Sequence, residues 1–316
     1  MIEVHTPCRL HFGLLAYSRD DSRQYGGVGL MASEPRTLVR LAPAKEVTAE
    51  GPMGDKAAIY ARRYLEHVGA DAGARIEVVR VARPHTGLGS GTQLAMAIGR
   101  GLAKLLGHDQ PDPAALARIM QRGKRSAIGT WGSYIGGLLV EGGKTHAASL
   151  SPLIARHDFP DDWRLVLIRP RPLEGLAGER ETQAFVELPA IPDDLTARMC
   201  RLVMLGLLPA LVERDVQRFG EALYELQQRV GEVFAPFQGG IYADPLLAQI
   251  VGFVREQGIP GIGQSSWGPT LYAVLESEER AVHLADAVMR RFKLDKAGEV
   301  IVTRGDNAGA GVSTNF

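Results

Sequence analysis

The sequence predicts an α+β fold, with helices on one face of a mostly antiparallel sheet. Three observations predict it. Short apolar, β-branched runs and longer runs of helical period follow one another as strand, helices, strand, helix, strand, without a strict βαβ alternation. The 316 residues, 45% of them apolar, suggest about two domains at roughly 100–200 residues each. Charge is also unevenly divided: residues 1–158 carry 20 Lys/Arg against 14 Asp/Glu, and the remainder 16 against 22. A Pro-punctuated stretch from Ser151 to Asp162 sits at that change and separates an expected domain 1–160 from a second, 161–316.

Met1–Pro7 and Thr37–Ala42 read as short strands, and Ile76–Val81 as a third that Pro84 stops. Leu94, Ala95, Ile98, Leu102, Leu105 and Leu106 recur at helical spacing, so a helix is expected over Thr92–Leu106, with another over Pro113–Gln121. In the second half Trp163–Ile168 reads as a strand. Helices follow over Leu195–Leu208, Asp215–Val230 and Pro245–Gln257, then strand Leu271–Leu275, helix Glu278–Phe292 and strand Val300–Thr303. No repeat of solenoid period occurs.

Composition removes several function classes. Thirty-six Lys/Arg balance 36 Asp/Glu, so the global basic excess of a nucleic-acid binder is missing. The uncharged stretch Ser126–Val140 holds four glycines and is shorter than the roughly 18–20 apolar residues of a membrane span. Glu3, His5 and Arg9 interrupt any apolar leader, and a cytoplasmic protein is expected. Cys8 and Cys200 lack metal-ligand or CxxC spacing and are expected as reduced, structural thiols.

The sharpest local signal is Pro84-His-Thr-Gly87-Leu88-Gly89-Ser90-Gly91-Thr92-Gln93. Its glycines sit between a strand and a helix, where backbone N–H groups cradle phosphate. It lacks the lysine of a Walker A loop, and its GxGxG spacing is not a dinucleotide fingerprint. Arg9 and His11, two apart, share one face of a strand and can meet an anion together. The loop around Asp20 and Asp21 has the carboxylates a Mg²⁺ ion takes alongside substrate phosphates. Arg125 and Ser126, in a basic and Gly-rich segment, are candidate phosphate donors. The polar stretch 170–181 reads as a substrate loop, and Gly261–Pro269 as a second Gly/Ser turn suited to anion or sugar contacts.

Gly87 through Ser90 match the Gly-Leu-Gly-Ser core of the GHMP kinase superfamily's phosphate loop, Pro-x-x-x-Gly-Leu-Gly-Ser-Ser-Ala, with Pro84 one residue nearer to it, and the chain resembles that superfamily. The kinase Ser-Ala is replaced by Gly91-Thr92, a departure that counts against the alternative of an ATP-dependent small-molecule kinase. Thr6–Gly13, Tyr25–Gly29, Gly178–Glu181, Gly263–Pro269 and the Arg304–Asn307 segment are similar to one branch, the β-ribofuranosylaminobenzene 5′-phosphate synthase family. The resemblance implies an N-terminal ribosomal-protein-like domain and a C-terminal ferredoxin-like domain. It implies a decarboxylating transfer that joins 4-aminobenzoate to phosphoribosyl pyrophosphate, releasing CO₂ and pyrophosphate, in methanopterin biosynthesis. Mg²⁺ and a homodimer are implied as well, with no nucleic-acid or membrane partner. On this reading Arg9 and His11 serve catalysis, and Gly87 to Gln93 with Arg125 and Ser126 hold phosphate. Gly26, Gly27, Arg180, Glu181, Gln264, Ser265, Ser266 and Trp267 contact substrate, and Asp20 and Asp21 hold metal. The Gln264–Trp267 turn is expected to face the Gly87 loop across a cleft between domains.

Overall fold

A computed structural model of the chain describes residues 1–17, 23–145, 150–170, 173–175, 178–294 and 300–314. Its first half is built on a long antiparallel ribbon, β1 (Ile2–Ala16) with β2 (Tyr25–Ala44). Pro7, where the sequence reading stops the first strand, falls at the register shift between Thr6 and Cys8, a place where a missing N–H is tolerated. Beyond the shift the strand runs on through Arg9 and His11. Tyr25–Gly29 begins β2, where Gly27 and Gly29 pair with β1 on one side and with β5 on the other, Gly27 opposite both Leu14 and Glu141.

The remaining strands of this half are β3 (Thr48–Glu50), β4 (Gly73–Arg80), β5 (Leu138–Glu141) and β6 (Leu153–His157). Helices α1 (Gly54–Val68), α2 (Ser90–Leu105), α3 (Pro113–Ile119) and α4 (Ile128–Ile135) complete it. Leu94, Ile98 and Leu102 of α2 and Tyr60 and Tyr64 of α1 bury against Val4, Val39, Leu41 and Ile76.

The change of sheet falls between β6 and β7 (Arg164–Ile168). Helices α5 (Gly178–Glu187), α6 (Asp193–Leu202), α7 (Leu208–Val212), α8 (Val216–Gln238) and α9 (Pro245–Glu256) follow. Strands β8 (Ile262–Gln264) and β9 (Leu271–Leu275), helix α10 (Glu278–Phe292) and strand β10 (Val300–Thr303) close a four-stranded antiparallel sheet of order β10-β7-β9-β8. The expectation of helices on a single face needs correction here. Val166, Ile168 and Ala273 pack under α9 and α10, whereas Leu165, Leu167, Tyr272 and Val274 face α6, α8 and the first half. Burial on both faces is why β7 and β9 read as continuous apolar runs.

A second correction concerns where the second half ends. The last strand, β11 (Gly311–Thr314), returns to the first sheet and pairs antiparallel with β1, Ile2 opposite Thr314. The two halves also share a core: Leu10, Phe12 and Leu30 bury with Trp163, Phe219 and Tyr272, and the Phe12 and Tyr272 rings stack at 5.0 Å. Gln227 of α8 stitches the seam, donating to Phe12 O and accepting from Gln264 N–H.

Asp193–Val212, from α6 through a π-helical turn (Val203–Leu207) into α7, is the one helix among the described residues long and apolar enough to cross a membrane by length and composition. A count of uncharged residues passes over it because Arg198 and Arg201 interrupt the run. One side of it, Met199, Val203, Leu207 and Leu211, belongs to the shared core. Both cysteines are free; Cys8 is buried, donates to Glu34 O, and burial pushes its thiol up to about 12, which keeps it inert.

Candidate active site

The Gly-rich segment leaves β4 and enters α2 through two residues that only glycine suits. Gly87 has φ 80°, and a Cβ there would collide with Ser265 O; Gly89 has φ 72°, and a Cβ would press on Arg9 at 3.2 Å. The loop is held from outside: Arg9 N–H donates to Leu88 O at 3.0 Å, and Gly87 O accepts from Arg9 Nη1 at 3.3 Å and Ser265 Oγ at 2.7 Å. Thr92 and Gln93 N–H turn back onto Gly89 O, and α2 has neither a capping side chain nor an acidic first-turn residue. The amides of Ser90 and Gly91 and the positive helix end therefore open into a cleft of about 890 Å³. That is the chemistry of an anion site.

The Gln264–Trp267 turn does face this loop, as expected, but most of its polar groups are spent on the fold. Ser265, fully buried, accepts from His11 N–H at 3.0 Å while donating to Gly87 O, and Ser266 N–H donates to His11 O. Gln264 accepts from Ala243 N–H and donates to Gln238 and Ser266 O. Gln93 is likewise buried, tying α2 to Gly129 O, and the Leu88 side chain sits in the core. These residues shape the site without offering it side-chain donors. Ser266 and the nearly buried Trp267 both line the cleft.

A second cavity of about 450 Å³ adjoins the cleft and shares Thr92, Arg122, Glu181, Thr182, Ser266 and Trp267 with it. One wall is apolar: Phe185, Phe234 and Trp267 meet edge to face, with ring centroids 4.4–6.3 Å apart, beside Leu14 and Val230. The other is cationic, with Arg9, Arg122, Lys124 and Arg125. Arg125 lies over the Phe185 ring at 4.3 Å and pairs with Glu181 at 2.6 Å. The expected substrate loop is thus in part helix α5, pinned to the first half by that pair. Arg180 is exposed on α5 and lines neither cavity. Asp20 and Asp21 lie outside the described residues.

Two residues were missed by sequence reasoning. Arg122 has a buried Nε with no partner and no salt bridge among the described residues; its guanidinium stands over Tyr60 at 5.0 Å and beside Gly91. An uncompensated, partly buried cation at the junction of two cavities is costly unless an anion arrives. Glu141, at the end of β5, is almost fully buried and accepts from Ala127 N–H at 2.7 Å. Burial raises its pKa, opposed by the Ser126 and Ser151 hydroxyls, that amide and Arg9. No motif marks either residue.

His11 also takes a different role from the expected cation. Its Nδ1 accepts from Gly13 N–H at 3.1 Å, so Nε2 carries the proton and faces Ser126 Oγ at 3.0 Å. Burial, reinforced by Arg9, holds its pKa at about 3. It is a neutral donor at physiological pH. Gly26 and Gly27 line neither cavity, and Gly27 sits close behind the site: a Cβ on it would be 3.3 Å from Glu141 Oε1 and 3.4 Å from His11 Cε1.

Residues 55–136 match the GHMP kinases N terminal domain and residues 207–294 the GHMP kinases C terminal domain. The chain is 32% identical to beta-ribofuranosylphenol 5'-phosphate synthase of Methanothermobacter thermautotrophicus over 97% of both chains. It is 33% identical to the synthase of that name from Archaeoglobus fulgidus, over 98% of both. Among solved structures, homoserine kinase from Cytophaga hutchinsonii superposes with a TM-score of 0.71 at 19% identity, over 99% of this chain and 97% of that one. Mevalonate diphosphate decarboxylase from Enterococcus faecalis gives 0.69 at 12% identity, over 99% of both. At such identities these two show the shared fold.

Proposed function

The chain belongs to the beta-ribofuranosylphenol 5'-phosphate synthase family, and from that premise we propose that it is a decarboxylating pentosyltransferase joining the ribosyl group of phosphoribosyl pyrophosphate to a 4-substituted benzoate. The observation that carries this reading is the adjacency of an open helix N-terminus and an aromatic-walled, cationic pocket. The first suits a diphosphate. The second suits an aryl acid.

The Ser90 and Gly91 amides and Arg122 stabilise the diphosphate as it leaves, and an oxocarbenium-like C1 faces the pocket. The ring, held against the aromatic wall of Phe185, Phe234 and Trp267, attacks C1 through the carbon that bears the carboxylate. Loss of CO₂ returns the electron pair to the ring and restores aromaticity. The sequence resemblance implies an aminobenzene product and the relatives are named for a phenol; both para groups donate electrons to the reacting carbon.

Mg²⁺, a homodimer and a cytoplasmic setting belong to the same proposal. Among the described residues no three His, Cys, Asp or Glu side chains gather into a metal cage. Mg²⁺ is commonly held by one or two carboxylates plus substrate phosphates, and Glu179 and Glu181, which line the cleft beside the loop, would hold it. When bound there it would neutralise charge on the leaving diphosphate. The test is incubation with carboxyl-labelled 4-aminobenzoate or 4-hydroxybenzoate, phosphoribosyl pyrophosphate and Mg²⁺. Labelled CO₂ released only with all components is expected; retained label, with ADP formed from ATP and a small alcohol, would overturn the proposal.

A further inference from the structure

We propose that Glu141, acting through Ser126, is a positioning residue that accepts the para proton of a hydroxylated acceptor ring during transfer. The inference rests on the pentosyltransferase reading above and adds the group that distinguishes a phenolic from an anilinic acceptor.

Four observations carry it. Glu141 is 1% exposed, yet its Oε1 has no partner of good hydrogen-bond geometry, while its Oε2 is held by Ala127 N–H. Ala127, whose N–H holds Oε2, directly follows Ser126 in the chain, and of the two hydroxyls that favour the ionised carboxylate, Ser126 and Ser151, only Ser126 lines the cavity. Ser126 and His11 line the second cavity and not the cleft, so they stand at the end away from the diphosphate site. A ring that presents its carboxylate-bearing carbon to the junction therefore points its para group toward them. Finally, His11 is a fixed neutral donor, with Nδ1 occupied by Gly13 N–H and Nε2 facing Ser126 Oγ. It orients the serine and takes no proton itself.

Around Glu141 the charged groups are Arg9 and Lys144, both cations that favour the carboxylate over the acid. Among the described residues, Ser126 Oγ also accepts from Ile128 N–H at 3.3 Å, a bond long enough to yield to a phenol O–H. As the ring carbon bonds to C1, the C1–O bond to diphosphate breaks and its electron pair leaves with the diphosphate. The para oxygen pushes a pair into the ring, its proton passes to Ser126 Oγ, and the serine proton passes to Glu141 Oε1. When the carboxylate leaves as CO₂, its bonding pair re-forms the aromatic ring and the proton returns to the para oxygen. An amino group donates its lone pair without needing that transfer.

The experiment compares kcat for 4-hydroxybenzoate and 4-aminobenzoate in the wild type, Glu141→Gln and Ser126→Ala. Glutamine keeps an acceptor for Ala127 N–H and removes the proton sink. The hydroxybenzoate-to-aminobenzoate ratio of kcat is expected to fall at least about tenfold in both variants, the lower side of acid–base contributions, with KM for each acceptor moving less than the ratio. A ratio unchanged in either folded variant, or a wild type that turns over only the aminobenzoate, overturns the inference while leaving the pentosyltransferase reading in place. Failure of the wild type to release CO₂ from either acceptor rejects that reading and this inference with it. Should Glu141→Gln not fold, the Ser126→Ala ratio decides alone.

Discussion

Replacing Arg122 by methionine should separate activity from stability. The guanidinium has a buried, unpartnered Nε, no acidic partner among the described residues, and a pKa lowered by burial. Methionine keeps an apolar stem and removes the charge. Two stability effects then oppose each other: the contact with Tyr60 at 5.0 Å is lost, worth about 0.5–1 kcal/mol, while the cost of holding an unpaired cation out of water disappears. The net change should stay within about 1 kcal/mol, and the melting temperature within about 4 °C. Activity has no such offset. A charged hydrogen bond to phosphate contributes about 1.5–3 kcal/mol, or about 10- to 150-fold in kcat/KM for phosphoribosyl pyrophosphate. Labelled CO₂ release at varied phosphoribosyl pyrophosphate measures the second quantity and thermal unfolding the first. A variant that melts more than about 5 °C lower with kcat/KM intact would make Arg122 a strut on Tyr60 and refute the argument.

Ser265→Ala should act on stability and not chiefly on affinity, because it orphans the buried His11 N–H; a loss of about 1–3 kcal/mol is expected, and unchanged denaturation with weaker substrate binding would contradict it. His11 stays neutral in the native state down to about 3 while the unfolded chain protonates near 6.5. The unfolded state then binds the extra proton between those values, so stability is lost as pH falls from 6.5 toward 3, at up to about 1.4 kcal/mol per unit; denaturant titrations of wild type and His11→Asn should differ in that slope, and equal slopes would refute the assignment. Arg9→Lys keeps the charge but loses the planar fork that reaches Gly87 O, and should cost about 1–3 kcal/mol in kcat/KM; near-wild-type turnover would reduce Arg9 to a field contribution.

Elements with strong local signals were legible in the sequence: α10, β9 and β10 keep the limits expected from periodicity and β-branching. Those that depend on the rest of the molecule were not. Helix α5 buries only Ala184 and Phe185 and reads as polar loop, and α1 hides its stripe in alanines and tyrosines. The early end given to β1 came from weighing Pro7 without its register shift. At the site, the two Gly/Ser turns were visible as composition, but which of their polar groups were already satisfied was not. Ser265 is bound to partners 254 and 178 residues away, and no local pattern records that. Arg122 and Glu141 were invisible for the same reason: what sets them apart is a missing partner.

The pairing of β1 with β11 makes the order of synthesis differ from the order of assembly. Strand β1 emerges from the ribosome before every other strand described and β11 after them all, yet Ile2 to His5 find partners for one edge only in Gly311 to Thr314. Until then the first sheet carries an open edge, the kind of template to which other chains add. A nascent chain stalled before residue 311 would hold the whole phosphate loop and the entire second sheet and still be sticky along β1. Chaperone dependence in this protein should accordingly track release of the last strand and not completion of the site.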